Sequence, residues 1–440
     1  MRINILSYIL IICNIKLDFF LRNVISFIII NAEKETAMKA KKDKKKIFKK
    51  ILIGLLITVA ALVALTAIVN TVLYNLNMKR VNEYSAVVNP DAVLPVLEDN
   101  GEYAFITDRE LKIVTLTDVH IGGGWMSFSK DRMAFNTVAS LVTTEKPDLV
   151  VITGDLAYPV PFQSGTFNNK LSAKLIIALM ENLGVPYTVT FGNHDTESYS
   201  FFSRKTIGEL YSDPSLEHSL FSVGPEDVDG VGNHVIHVKN TKGEFVQELV
   251  FIDSHSYTDG DIFGIFWKYD NVQQSQVDWY EQKIKAAQAV TPDVKSLVFL
   301  HIPLVEYRDA YYEYLENGCK DTENTKYVSG IIGEKDPYVY CGMHEDNLFE
   351  KILELGSTKA VFCGHDHLNN MVLNYKGVDL TYNYSIDYLA YIGISKKGDQ
   401  RGCTVVTVNP DGSYEQVHEN YYQDKYVSLY PKENVTFVNK

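Results

Sequence analysis

The feature that most constrains this chain is a run of 28 residues without a charged side chain, Ile51 to Met78. Its apolar part, Ile51 to Tyr74, measures about 36 Å as an α-helix, which exceeds the roughly 30 Å of a bilayer's hydrocarbon core. A buried core helix seldom runs so long without one charge. Residues 51–78 are therefore predicted to form a transmembrane helix.

The charges on the N-terminal side of this run predict its orientation. Residues 1–50 hold 12 Lys+Arg against four Asp+Glu, with eight lysines between Lys39 and Lys50. Lysines directly before a span are typical of the cytoplasmic side of a membrane. We expect a single-pass protein of the cell membrane with a basic cytoplasmic N-terminus, residues 1–50, and everything after Lys79 extracytoplasmic. A cleaved signal peptide is the alternative, but its apolar region is shorter, so the length favours an uncleaved signal-anchor.

Residues 1–37 contain two apolar pieces, and neither is long enough to cross a bilayer alone. Met38 followed by Lys39 has the form of an ordinary start of a signal-anchor protein. Our hypothesis is that translation begins at Met38 and that residues 1–37 are not translated.

The chain beyond the span is acidic. Residues 81–440 hold 28 Lys+Arg and 51 Asp+Glu. Such a surface repels polyanions, so no nucleic acid is expected as a stable partner. The polar stretch 79–107, which contains Pro90 and Pro95, is predicted to be a linker to one folded domain, residues 108–440.

Strand and helix patterns alternate within this domain. Strand runs at 111–117, 148–153 and 186–191 are separated by helical patterns at 130–145 and 171–183, an order that indicates parallel sheet with covering helices. The second half adds six strand runs and two helical patterns: 234–239, 247–252, 296–300, 359–363, 378–382 and 403–408, then 275–289 and 346–355. The predicted fold class is α/β, a two-sheet β-sandwich flanked by helices in four layers, preceded by one transmembrane helix.

Five polar clusters each follow a strand run, where α/β proteins place their sites. Together they supply seven oxygen and nitrogen donors and no thiolate: Asp118, His120, Asp155, Asn193, His301, His365 and His367. So many carboxylates and imidazoles at one sheet edge require a compensating charge, which divalent metal supplies. Seven donors exceed the needs of one ion, whereas two ions that share Asp155 would take four apiece.

Two adjacent ions suit phosphoester hydrolysis, because they polarise a phosphoryl group and lower the pKa of a bridging water. The predicted reaction is attack of a metal-bridging hydroxide on phosphorus. His194 and Asp195 remain outside the ligand set, and a histidine oriented by a neighbouring carboxylate suits protonation of the leaving group. The donor set suits Mn, Fe or Zn.

The order of these motifs resembles a known family. The series D-x-H, GD, GNHD, a lone histidine and GHDH, between Leu111 and His367, is similar to the calcineurin-like metallophosphoesterase superfamily. The segments DSHSYTDGD, HIPLVEY and GHDHLNN resemble its purple acid phosphatase and fungal Dcr2-type branch. The resemblance implies that His194 is the catalytic histidine and that the two metals have these ligands: Asp118, His120, Asp155 and His367 for the first, Asp155, Asn193, His301 and His365 for the second.

One position departs from the family patterns. Purple acid phosphatases carry a tyrosine at the place of Tyr158, bound to ferric iron, but no histidine at the place of His120. This chain has both residues. We expect His120 to be a ligand and Tyr158 to pack beside the centre.

These observations predict a membrane-anchored, extracytoplasmic phosphoesterase with two metal ions that acts on small phosphoesters. A phosphodiesterase or nuclease with the same centre is one alternative, because specificity lies in the loops. The other alternative is a non-catalytic, metal-dependent binding module of the cell envelope.

Overall fold

The computed structural model describes residues 22–23, 25–27, 44–261, 264–334, 338–391 and 401–435. It divides into two compact units, Met1–Val69 and Asn70–Lys440. Met38, on which the hypothesis about the start of translation rests, lies outside the described residues, so that hypothesis stays a prediction.

Helix α1, Lys44–Val81, contains the whole charge-free run. In the part of the chain that the structure describes, it is the one helix long and apolar enough to span a membrane. It extends beyond the predicted bounds at both ends, because lysines and arginine are good helix formers and continue it.

The region predicted to be a linker, 79–107, is instead part of the folded unit. Val81, at the end of α1, is fully buried in the core. Two strands follow, β1 (Pro95–Leu97) and β2 (Tyr103–Ile106), and β2 pairs in parallel with a later strand, His234–Lys239. The physical reason is that Ala104 and Phe105 are completely buried, so this short polar-looking stretch contributes to the core.

The strands form two sheets. The remaining strands are β3 (Leu111–Leu116), β4 (Leu149–Thr153), β5 (Tyr187–Thr190), β6 (His234–Lys239), β7 (Phe245–Phe251), β8 (Lys295–Phe299), β9 (Thr325–Ser329), β10 (Thr358–Cys363), β11 (Val372–Tyr375), β12 (Val378–Tyr382), β13 (Gly402–Val408) and β14 (Tyr414–Asn420). The larger sheet has the order β1-β2-β6-β7-β8-β10-β12-β11-β9, and the smaller one β14-β13-β3-β4-β5. In the smaller sheet β3, β4 and β5 are parallel, as are β7, β8, β10 and β12 in the larger.

Helices cover both sheets. They are α2 (Phe128–Glu145), α3 (Pro161–Ser164), α4 (Asn169–Leu183), α5 (Arg204–Tyr211), α6 (Gln274–Val290), α7 (Val305–Glu316) and α8 (Leu348–Leu355). Apolar residues of α2 and α4 share one core cluster with β3, β4 and β5. Residues of α6, α7 and α8 share a second with the larger sheet.

A third apolar cluster lies between the sheets. Ile113 and Val151 contribute to it from the smaller sheet, and the stacked rings of Phe251, Phe299 and Phe362 contribute from the larger. The chain therefore has the layers helix, sheet, sheet and helix, and the predicted four-layer α/β sandwich is confirmed. Its parallel strands bring their carboxyl ends to one edge.

Candidate metal centre

The polar clusters lie where five parallel strands end. Asp118 and His120 follow β3, Asp155 follows β4, and Asn193 follows β5, all from the smaller sheet. His301 follows β8, and His365 and His367 follow β10, from the larger sheet. The site is therefore assembled from both sheets, which explains why its residues are so far apart in sequence.

The predicted ligands converge on two groups that could each hold a metal ion. Asp118, His120, Asp155 and His367 bring their ligand atoms within 4.8 Å of one another, and so do Asp155, His301 and His365. Asp155 belongs to both groups. Its Oδ2 lies 3.1 Å from Nε2 of His120 and 3.3 Å from Nε2 of His301.

Asn193 joins the second group through its side-chain oxygen. Oδ1 lies 3.2 Å from Nε2 of His301, and Nδ2 is 2.9 Å from the Tyr257 hydroxyl, which accepts its hydrogen bond. The contact with Tyr257 orients the amide so that its oxygen faces the histidine. All seven predicted donors therefore lie in one place.

The imidazole rings are oriented through Nδ1, the nitrogen away from the centre. Nδ1 of His301 donates to the carbonyl of Thr153 at 2.8 Å. Nδ1 of His120 and Nδ1 of His367 each lie 3.2 Å from one oxygen of the same carboxylate, Asp387. Such partners fix the ring and its tautomer and leave Nε2 available as a ligand.

The residues fit a metal ion by their chemistry. Nε2 of His365 is buried and has no hydrogen-bond partner, which is costly for a polar atom unless something binds it. Burial and the nearby charge of His301 hold the pKa of His365 well below its usual range, so the ring is neutral, the form that binds metal. Burial alone would raise the pKa of Asp155, but His301, His194 and His120 hold it well below its usual range.

His194 lies beside these groups, and a carboxylate orients it. Its Nδ1 is 2.6 Å from Oε1 of Glu197, and its side chain stays 23% exposed. Asp195, which we expected to play that role, differs: its carboxylate accepts hydrogen bonds from the backbone N–H groups of Gly192 and Ala157, both at 2.8 Å. Asp195 thus joins its own loop, after β5, to the loop after β4, because its two oxygens accept from one backbone N–H group of each.

Tyr158 packs beside the centre, as we expected. Its ring centroid lies 5.0 Å from that of His120 and 4.7 Å from that of His194. Its hydroxyl donates to Oε1 of Gln163 at 2.8 Å. The hydroxyl is therefore engaged away from the ligand atoms.

The backbone at the site is strained. Asp118, His120, Asp155 and His365 all have φ between 50° and 77°, a region that non-glycine residues seldom adopt and that costs of order 1–3 kcal/mol each. Close approach explains a glycine nearby: a Cβ on Gly192 would clash with Oδ1 of Asp155. The close packing of these loops places the side chains where a metal would bind.

Three residues of the site escaped the sequence analysis: Asp387, Glu197 and Tyr257. Glu197 stands three residues after His194, a spacing that a search for orienting carboxylates would have found. Tyr257 lies within the segment DSHSYTDGD, but nothing in that segment indicates its contact with Asn193. Asp387 carries no local signal, because its loop reaches the centre only through the tertiary fold.

The chain is similar to several known proteins. Residues 111–369 match the family model described as calcineurin-like phosphoesterase. The chain is 31% identical over 318 residues to the "Probable inactive purple acid phosphatase 14" of Arabidopsis thaliana, covering 65% of this chain and 73% of that protein. It is 28% identical over 294 residues to "Phosphatase DCR2" of Saccharomyces cerevisiae, covering 60% of this chain and 45% of that protein. A dimetal phosphatase structure from Danio rerio superposes with a TM-score of 0.43 at 13% identity, over 69% of this chain and 94% of that one.

The matched region contains every strand that ends at the site, from β3 to β10, and it spans more than half of the chain. The protein therefore belongs to the calcineurin-like phosphoesterase family, as the order of its motifs predicted.

Proposed function

We propose that this protein is a membrane-anchored, extracytoplasmic phosphoesterase that hydrolyses small phosphate esters with two metal ions. The observation that carries the proposal is the pair of ligand groups that share the carboxylate of Asp155. Asp118, His120, Asp155 and His367 would hold one ion, and Asp155, Asn193, His301 and His365 the other. Two such ions polarise the phosphoryl oxygens and supply a nucleophile from water at neutral pH.

His194 would act on the leaving group. Glu197 fixes its Nδ1, so the other nitrogen can give a proton to the departing oxygen. The backbone N–H of His194 also donates to Oδ1 of Asp155 at 2.8 Å, which ties the histidine to the bridging ligand. A site that held metal only for structure would not need this partly exposed histidine.

Membrane anchoring is supported by α1 and by two exposed aromatic side chains of the second unit. Asn70 donates to the carbonyl of Gly165 at 3.1 Å and accepts from the backbone N–H of Trp125 at 2.8 Å. Trp125 and Phe162, which flank these contacts, expose 44% and 87% of their surface. Exposed aromatic residues beside a span are typical of a membrane–water interface.

Two substitutions separate metal binding from catalysis. We expect Asp155→Asn to lose bound metal and activity together, because it weakens both ligand groups. His194→Asn should keep its metal and lose about 10²- to 10⁴-fold in kcat, because only proton transfer is affected. Metal content and turnover of p-nitrophenyl phosphate with added Mn²⁺, with and without chelator, measure both.

A matched control is His218→Gln, since His218 pairs with Glu181 on the surface as His194 pairs with Glu197. It should keep both metal and activity. Full activity in Asp155→Asn would refute the mechanism. Bound metal without any turnover in the unaltered protein would favour the non-catalytic envelope module. This outcome is worth testing because the Arabidopsis relative is named a probable inactive phosphatase.

A further inference from the structure

An aromatic cleft opens beside the metal centre. Its volume is about 570 Å³. Six aromatic side chains line it: Phe266, Trp267, Tyr269, Tyr338, Tyr340 and Tyr391. We propose that this cleft binds the leaving group of the substrate and selects phosphomonoesters whose leaving group carries a planar aromatic ring, that is, aryl phosphates or nucleotides. The proposal rests on the phosphoesterase activity proposed above and names its substrate class.

The cleft adjoins the proposed ligands directly. The ring of Tyr269 meets the ring of His365 edge to face, with centroids 4.2 Å apart. The ring of Tyr391 lies 6.3 Å from that of His367 on the other side. A phosphoester held by the metals would therefore project its leaving group into the cleft.

The two walls of the cleft are held in place. The backbone N–H of Tyr340 donates to Oδ2 of Asp366 at 3.2 Å, and Asp366 stands between His365 and His367. The same carboxylate oxygen accepts from the buried hydroxyl of Tyr382 at 2.6 Å. The N–H of Met343 donates to the carbonyl of Tyr269 at 3.0 Å. This bond joins the lining residues 338–343 to the lining residues 266–269. The cleft is thus formed before any ligand enters, which lowers the entropy lost on binding.

The outer part of the cleft exposes large apolar surfaces. Trp267 and Phe266 are 63% and 60% exposed, and Trp267 has a φ of 54°, which is unusual for a bulky residue. Its ring meets Tyr340 edge to face, with centroids 6.2 Å apart. Exposed apolar groups gathered in a concavity are typical of a ligand site, and their ring faces favour stacking with another flat ring.

The charges of the cleft narrow the choice of ligand. Among the described residues that line it, Glu334 is the single acidic side chain, and no lysine or arginine is present. The described lining therefore offers no lysine or arginine to a second phosphate group, which disfavours long polyphosphates. Glu334 can instead accept a hydrogen bond from an amine or hydroxyl of a neutral leaving group.

Kinetics with three substrates test the proposal: p-nitrophenyl phosphate, adenosine 5′-monophosphate and glycerol phosphate. Trp267→Ala should lower kcat/KM for the first two by about 5- to 20-fold, mainly through KM, because a stacking surface is lost. For glycerol phosphate the change should stay below about twofold. Trp267→Phe, which keeps a ring, should restore most of the loss. A larger fall for the nucleotide than for the aryl ester would identify the nucleoside as the preferred group.

Tyr312→Ala serves as the matched control, because Tyr312 is an exposed aromatic residue of α7 that does not line the cleft. It should leave all three substrates unchanged. An equal effect of Trp267→Ala on all three substrates would overturn the cleft proposal while the phosphoesterase proposal stands.

A binding measurement gives a readout without turnover. Titration of His194→Asn with adenosine 5′-monophosphate should quench the fluorescence of Trp267, and the quench should disappear in the double variant that also carries Trp267→Phe. Quenching in this variant, together with no turnover of any of the three substrates by the unaltered protein, would support the cleft and refute the phosphoesterase proposal. No quenching would refute the cleft, whether or not the protein is active.

Discussion

At the scale of single residues, Asp387 decides how two of the proposed ligands are presented. Its two oxygens face Nδ1 of His120 and Nδ1 of His367, and Asp387 is completely buried. Burial would raise the pKa of Asp387, but the two histidines hold it well below its usual range. The carboxylate therefore stays ionised and makes both rings better ligands.

We expect Asp387→Asn to weaken metal binding by about 10- to 100-fold, because the amide orients the rings less firmly and removes a negative charge. Equilibrium dialysis against Mn²⁺ measures this loss. Asp411→Asn, in an exposed turn, is the control and should bind as the unaltered protein does. Unchanged affinity in Asp387→Asn would show that the carboxylate does not support the centre.

At the scale of elements, the loop between His120 and α2 depends on one buried carboxylate. Oδ1 of Asp131 accepts from the N–H of Gly122 at 2.9 Å, and Oδ2 accepts from the N–H of Gly123 at 3.1 Å and from the hydroxyl of Ser127 at 3.0 Å. Nδ2 of Asn77, near the end of α1, lies 3.4 Å from the same Oδ2. The end of α1 and the loop after a proposed ligand thus share one acceptor.

Removal of this acceptor should destabilise the fold. Asp131→Ala leaves two buried backbone N–H groups without a partner, so we expect the free energy of unfolding to fall by about 2–4 kcal/mol. Chemical denaturation of the full chain in detergent micelles measures the change. Asp91→Ala, at an exposed position, should change the free energy by less than about 0.5 kcal/mol. Equal stability of the two variants would contradict the role of Asp131.

Some helices and strands could be predicted from the sequence, and others could not. Every strand and helix predicted after Leu111 is present, with ends that differ by at most two residues, because each carries a buried apolar run. The strand β9 was missed, since four of its five residues are at least partly exposed and its position depends on pairing with β11. β2 was missed because four residues are too short for a period to show.

At the scale of the whole molecule, the apolar run of α1 predicts how the protein is held in the cell. Leu56→Lys together with Val63→Lys places two charges in the middle of that run. Each should cost about 2.5–3.5 kcal/mol in the membrane, so the double variant should be released by alkaline carbonate extraction while the unaltered chain stays with the membranes.

The control carries the same two charges elsewhere. Val290→Lys with Val417→Lys alters exposed positions of the second unit and should remain in the membrane fraction. Release of the unaltered chain by carbonate would contradict anchoring through α1.

What the sequence determined by itself was local. The charge-free length of α1, the apolar strands and the short polar clusters after them can each be read within about a dozen residues, and the order of those clusters identified the family. Each of the seven donors directly follows a predicted strand. Their positions were enough to predict that they lie together, because parallel strands bring their carboxyl ends to one edge.

The tertiary structure alone decided which distant groups meet. The N–H of His365 reaches Oδ2 of Asp118, 247 residues earlier, and Asp387 joins two histidines from different sheets. The aromatic cleft likewise draws its walls from separate loops. Such contacts leave no period or spacing in the chain, because they arise only when both sheets pack across the shared core and bring their loops to the same edge.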